Sequence, residues 1–317
     1  MKKFQPRKLI VPAATVLAML MICLFVPKFA TYTNIMNVLR QSSYTAIPAV
    51  MMTAIIISGG INLSLGDVMS LAGVVCAILI NRHVSPVLAF AAVAVMSILF
   101  GVLNGYFISE MQLPAFICTY TVGQIASGIA MLLNNAKAVR VDDKAFLAFG
   151  NAKLFGSIPM IIPIAAVFVL AAWFLMHKTT FGVKLFALGN NETLLRQVGI
   201  NVTRLKITAY SLSCLFAGLG GALLMARLGS GSPVQGDSYT LNCIAASAIG
   251  GVNMSGGYGK ITNTVIGSIV ICVLNNILNL LQINNNLQLI ILGAVIIALV
   301  SASVYTKNRS EKQLLKY

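Results

Sequence analysis

Long apolar stretches fill this chain, and polar residues gather in short intervals between them. A helix needs about 20 apolar residues to cross a bilayer. Segments 9–27, 87–108, 115–133, 158–176, 207–226, 261–281 and 287–304 reach or approach that length. Segments 46–57, 68–80 and 241–249 are too short to span as regular helices, and they flank two breaks of similar pattern. One break reads Gly59-Gly60-Ile61-Asn62-Leu63-Ser64, the other Gly250-Gly251-Val252-Asn253-Met254-Ser255. An unpaired backbone amide in hydrocarbon costs several kcal/mol, so irregular backbone survives there only against protein or water. Interrupted apolar segments point to a transporter's binding region. The pattern predicts an all-α polytopic membrane protein of about ten helices, some short or broken.

One domain, 1–317, accounts for the pattern. It comprises six membrane segments over 9–176, a polar loop 177–206, four more segments over 207–304, and a tail 305–317. Only 9% of the 317 residues are charged, against about 25% in soluble domains. The net charge is +15, and the positive residues lie between and outside the apolar runs. That placement fits positive-inside loops and anionic lipid rather than a nucleic-acid groove. Most Lys and Arg fall on the side of loop 177–206, which places both termini in the cytoplasm. Lys137, Arg140, Lys144 and Lys153, in loop 134–157, run against the trend. The basic start followed by 9–27 has the outline of a signal peptide, but no small-residue cleavage site follows, so a retained first helix is expected.

Several residues carry candidate chemistry. No P-loop is present, so ATP, if used, is bound by another subunit. No catalytic set surrounds His83 or His177. The six cysteines lie in apolar runs without metal spacing, so no metal site is expected. Asp67, at the start of a short apolar segment, reads as a helix cap, a polar contact in a solute path, or both. Asn62, Ser64, Asn253 and Ser255 can bond their own loops or face a hydroxyl-rich solute. Asn104 and Gln124, inside long spans, can face the same path or join helices. Asn275, Asn276 and Asn279 make a polar stripe that suits helix pairing. Gly101 and Gly105 have the spacing that lets helix backbones approach closely. The run Phe146–Phe149 suits a short surface helix. In loop 177–206, Asn191 is positioned as an N-cap, Glu192 lies in the first turn, and Leu194, Leu195 and Val198 form an apolar stripe. Gly199 supplies a stop. The short amphipathic helix this describes fits a partner's groove better than a lipid surface.

Together these residues resemble a known family. Gly59-Gly60-Ile61-Asn62-Leu63-Ser64-Leu65-Gly66 is similar to the GGIDLSVG signature of ribose-type ABC importer permeases. Gly189-Asn190-Asn191, Arg196, Gly199-Ile200-Asn201-Val202 and Arg204-Leu205-Lys206 resemble that family's cytoplasmic segment. The stretch from Arg227 through Gly236 and Tyr239 to Gly250-Gly251 also follows it. The resemblance implies a type II importer-like permease of the bacterial inner membrane. It implies two permease copies or paralogues, two ATPase subunits and an extracytoplasmic sugar-binding protein. It further implies that Gly189, Asn190, Asn191, Glu192, Arg196 and Gly199 belong to a coupling helix seated on the ATPase. A nucleoside or branched-chain amino acid permease, or a stand-alone secondary transporter or channel, are the alternatives. Asn62 stands where the family has Asp, Asp67 where it often has Ser, and Asn242 where it often has Asp. Ser70, three residues after Asp67, is expected to complete a local cap.

Overall fold

The computed structural model describes residues 29–154, 156–284, 286–295, 297, 298 and 301. The expected first segment 9–27 and the tail 305–317 lie outside the described residues. Helices dominate. In chain order they are α1 (Tyr32–Ile57), α2 (Leu65–Asn81), α3 (Pro86–Ser109), α4 (Ala115–Leu133), α5 (Lys144–Gly150) and α6 (Ile161–Lys178). Then follow α7 (Thr180–Asn190), α8 (Glu192–Gln197), α9 (Val202–Leu228), α10 (Asp237–Ile249), α11 (Ile261–Leu280) and α12 (Asn286–Val295). Among the described residues, α3, α4, α6, α9 and α11 are long and apolar enough to cross a membrane.

The segment expected to be short at 46–57 is the inner half of α1, which has 26 residues and rises about 39 Å. The polar residues Asn34, Asn37, Arg40 and Gln41 hid its first half. They are tolerated because that half packs on α11, where Asn34 and Asn276 exchange amide hydrogen bonds of 2.9 Å. From Ser42 to Ile57 every residue of α1 is buried. Asn276 is therefore a helix-pairing residue.

α9 is the centre of the bundle. Two-thirds of its most apolar window is buried, against 22% for the peripheral α6. Close approach by α3 makes this possible. A Cβ on Gly101 would overlap the backbone of Tyr210 and Ser211, and one on Gly105 would overlap Ile207. The predicted small-residue spacing thus seats α3 directly on α9. α9 begins at Val202, capped by Asn201, whose Oδ1 accepts from Arg204 N at 2.8 Å, five residues ahead of the apolar run. Apolar side chains such as Val95, Leu99, Phe116, Val167 and Leu170 remain exposed on α3, α4 and α6. Such faces need lipid or another chain.

Two two-stranded ladders qualify the all-α expectation. β1 (Val139–Arg140) pairs with β4 (Ser230–Gly231), and β2 (Lys153–Leu154) with β3 (Ile158–Pro159). The β3 pairing moves the start of α6 from the expected 158 to Ile161. The predicted surface helix is α5, capped by Asp143 Oδ1 from Ala145 N and Phe146 N and held by buried Phe146. It lies at the end of α9 opposite α8.

Candidate functional site

The first break is a sealed polar node. Gly59, at φ +83°, turns the chain out of α1, and Gly60 N returns to Ile55 O at 3.0 Å. This closes the helix end in the left-handed manner that glycine permits. Asn62 Oδ1 then accepts from Ser64 N (3.1 Å) and Ser64 Oγ (2.7 Å). Its Nδ2 donates to Ser213 Oγ at 3.2 Å. Asn104 Nδ2 donates to Ser64 Oγ at 2.9 Å. Thr119 Oγ1 accepts from Leu63 N, Tyr210 donates to Ile61 O, and Thr240 Oγ1 accepts from Gly66 N. Four helices, α3, α4, α9 and α10, thereby satisfy one irregular loop. Asn62, Ser64 and Asn104 are fully buried, so in this conformation they line no open path.

The remaining predicted pathway residues do not join this node. Gln124 is exposed on α4. Asp67 is half-buried at the third position of α2, where a Cβ on Gly123 would strike its carboxylate. Ser64, not Asp67, occupies the N-cap position of α2, and Ser70 accepts from Gly236 N at 2.8 Å instead of completing a cap. Asp67 therefore lies in the first turn of α2 without capping it. Asn253 is held by its own loop, its Nδ2 donating to Gly256 O at 2.7 Å and its Oδ1 accepting from Ser255 N at 3.2 Å.

Sequence reading missed the partners Thr119, Tyr210, Ser213 and Thr240. One signal was present: Tyr210, Ser213 and Cys214 recur at helical spacing on one face of α9.

Both breaks meet at the C-terminal end of α7, a helix that loop 177–206 did not advertise. Gly257 N donates to Ile57 O at 2.8 Å, and Asn190 Nδ2 donates to Gly257 O at 3.4 Å. A Cβ on Gly189 would overlap Ile57 O and Gly257 N, and one on Gly256 would lie 3.0 Å from Gly59 Cα and Gly189 O. Gly59, Gly189 and Gly256 thus form a three-way backbone contact. At Gly189 there is no room for a Cβ, and at Gly256 one would be crowded.

α8 hangs directly from that contact. Asn191 caps it, its Oδ1 accepting from Leu194 N at 3.0 Å, and Gly199 ends it at φ +78°. Leu195 turns inward and is buried, whereas Leu194 and Val198 stay exposed, so only part of the predicted stripe packs on this chain. Glu192 ties α8 to its surroundings. Its Oε1 accepts from Arg196 Nη2 at 2.8 Å and its Oε2 from Lys206 Nζ of α9 at 2.7 Å. Burial raises the Glu192 carboxyl, but hydrogen bonds and charge from Lys206 and Arg196 outweigh it, leaving the pKa below the ordinary value. Between α8 and the first break lies a cavity of about 530 Å³, lined by Gly59, Gly60, Gln112, Glu192, Lys206 and Tyr210, among others.

A many-helix apolar bundle whose broken segments join a short, capped polar helix is the architecture of a multi-pass membrane protein. Residues 34–300 match the family described as the permease component of the branched-chain amino acid transport system, and the chain belongs to that family. It is 37% identical over 279 residues to the ribose import permease protein RbsC of Escherichia coli K12, covering 86% of this chain and 85% of that one. It is 35% identical over 285 residues to the L-arabinose transport system permease protein AraH of the same strain, covering 90% and 87%. The ribose import permease protein RbsC of Haemophilus influenzae shares 33% over 296 residues, 92% and 91% of the two chains. No solved structure matches the chain.

Proposed function

We propose that this chain is the membrane-spanning subunit of an ATP-binding-cassette importer carrying a ribose-type monosaccharide into the bacterial cytoplasm. It works as one of two permease copies or paralogues in the inner membrane. About ten membrane segments, with both termini inside, place α8 in the cytoplasm. ATP is bound and hydrolysed by a partner ATPase, and an extracytoplasmic sugar-binding protein docks at the opposite end of the bundle. The names of the relatives, ribose and arabinose permeases, support the solute class.

One observation carries the coupling half of this reading. α8 exposes Leu194 and Val198, while its root at Gly189 and Asn190 touches both broken segments through backbone atoms. A push on α8 from an ATPase therefore reaches both breaks without a compliant side chain between them. Gly189, Asn190, Asn191, Glu192, Arg196 and Gly199 form this lever. Asn62, Ser64 and Asn104 brace the first break. Asp67, Gln124 and Asn253 remain proposed contacts of the path when it opens.

Reconstitution of the permease with its ATPase and binding protein in liposomes tests the proposal. ATP-dependent uptake of ribose or arabinose is expected, with none from the permease alone under an ion gradient. Arg196→Glu places two carboxylates one turn apart and is expected to lose the ATPase on co-purification while the permease stays folded. Full-rate transport by the isolated permease, or undiminished ATPase binding by that variant, rejects the reading.

A further inference from the structure

A second polar cavity, about 390 Å³, lies at the end of α9 away from α8, between α1, α9, α10, α11 and α12. Its volume falls within the roughly 300–1,000 Å³ of small-molecule sites. The wall is rich in amides, among them Asn242, Asn279, Gln235 and Gln288, and no carboxylate lines it. Two of those amides hold buried, idle atoms. Asn242 is 7% exposed, and its Oδ1, an acceptor, has no hydrogen-bond partner among the described residues. Gln235 Nε2, a donor, has none either, although its Oε1 accepts from Ser232 N. Buried polar atoms are rarely left unmatched unless something else matches them. One idle donor and one idle acceptor on the same wall suit a hydroxyl, which accepts and donates at once. The guanidinium of Arg227, which also lines the cavity, lies 5.6 Å over the Tyr44 ring. The amide-rich wall without a carboxylate, with a cationic side chain at its edge, favours a hydroxyl-rich solute over a cation.

Resting on the sugar-import reading above, we infer that this cavity, rather than the Asn62 node, holds the monosaccharide during passage, with Asn242 and Gln235 binding its hydroxyls. The contrast with the first break supports the choice. There every amide is spent on protein; here two are left over.

The test uses the complete importer in proteoliposomes, with labelled ribose and arabinose as probes and ATP hydrolysis followed in parallel. Asn242→Leu removes the idle acceptor with little change in volume. Pentose moved per ATP hydrolysed is expected to fall at least tenfold, and Asn242→Ser, which restores an acceptor, to recover part of it. Gln235→Leu reads the opposite partner and serves if Asn242→Leu fails to fold. An unchanged ratio in these variants overturns the inference, as does parallel loss of uptake and hydrolysis, which marks a structural role. A wild-type importer that moves neither pentose overturns the sugar reading itself, so the two failures are told apart.

Discussion

The two breaks share the pattern Gly-Gly-x-Asn-x-Ser, yet they solve opposite problems. Each pair has one glycine for conformation and one for packing, in reversed order. Gly59 and Gly251 carry the positive φ, whereas a Cβ on Gly60 would press on the Tyr210 hydroxyl and one on Gly250 on the Asn263 backbone. In each loop the Asn oxygen accepts from the amide two residues on. Their surroundings differ. Asn62 and Ser64 are fully buried, and four helices contribute polar groups to their loop. Asn253 is partly accessible, Ser255 is exposed, and that loop bonds mainly to itself. A shared motif therefore fixes local turn geometry, and burial decides what losing it costs.

The largest expected difference follows directly. Asn62→Ala strands the Ser64 amide and the Ser213 hydroxyl in a dry interior, where each unmatched group costs about 1–3 kcal/mol, for a total of roughly 3 kcal/mol or more. Asn253→Ala lets water replace most of what is lost and should cost about 1 kcal/mol or less. Thermal unfolding in detergent, monitored by loss of monodisperse protein, reads the contrast. Equal shifts for the two variants would show that burial does not separate the loops.

A sharper test targets the point where the breaks meet. Gly189→Ala drives a methyl group into Ile57 O and Gly257 N, which are backbone atoms that cannot swing aside. Overpacking of this kind costs about 1–3 kcal/mol. The protein is expected to fold but to couple poorly, with uptake per ATP falling more than stability does. Gly156→Ala, at φ +72° in the turn between β2 and β3 and with nothing within 4 Å, is the matched control for a purely conformational cost. Uptake lost equally in both variants would remove the three-way contact from the coupling route.

At the smaller end, Gly59→Ala and Gly251→Ala should cost nearly the same. The nearest atom to a Cβ at Gly59 is 3.9 Å away, and at Gly251 nothing lies within 4 Å. Both therefore face only the left-handed backbone penalty of about 1–2 kcal/mol. A substantially larger effect at one position would mean that its loop is strained in a way these contacts do not explain.

Much of this was legible in sequence because it is local. The cap at Asn191, the stop at Gly199, the surface helix at Phe146 and the Gly101/Gly105 contact each depend on residues within one or two turns, or on a spacing that any neighbour would exploit. What was hidden is long-range. The polar face of α1 concealed half a helix, because only α11 makes Asn34 and its neighbours tolerable in the bundle. Asn62 and Asn104 looked like solute contacts because an amide in an apolar run has two uses. Their partners Ser213 and Ser64, which accept from these amides, lie 151 and 40 residues away and are visible only in the folded chain. Asn242 shows the converse, since its idle oxygen is visible only once the cavity is assembled.

The smallest effect separates the two breaks by charge. The first borders a cavity containing Glu192 and Lys206; around the second, residues 250–260 hold a single ionisable cation, Lys260, and no acid. Because the Glu192 carboxyl is held below its ordinary pKa, its pairs stabilise α8 above the ordinary carboxylate range. That stabilisation is lost as pH falls through the depressed folded value. With side chains 38% and 47% exposed, Glu192 and Arg196 contribute only a few tenths of a kcal/mol to about 1 kcal/mol. Amide exchange over 192–200 should therefore quicken a few-fold as pH is lowered, after correction for intrinsic rates, while exchange over 250–260 stays level. Glu192→Gln should abolish the pH response by leaving nothing to titrate. If the response persists in that variant, α8 is held by something other than the ion pairs that join it to Lys206.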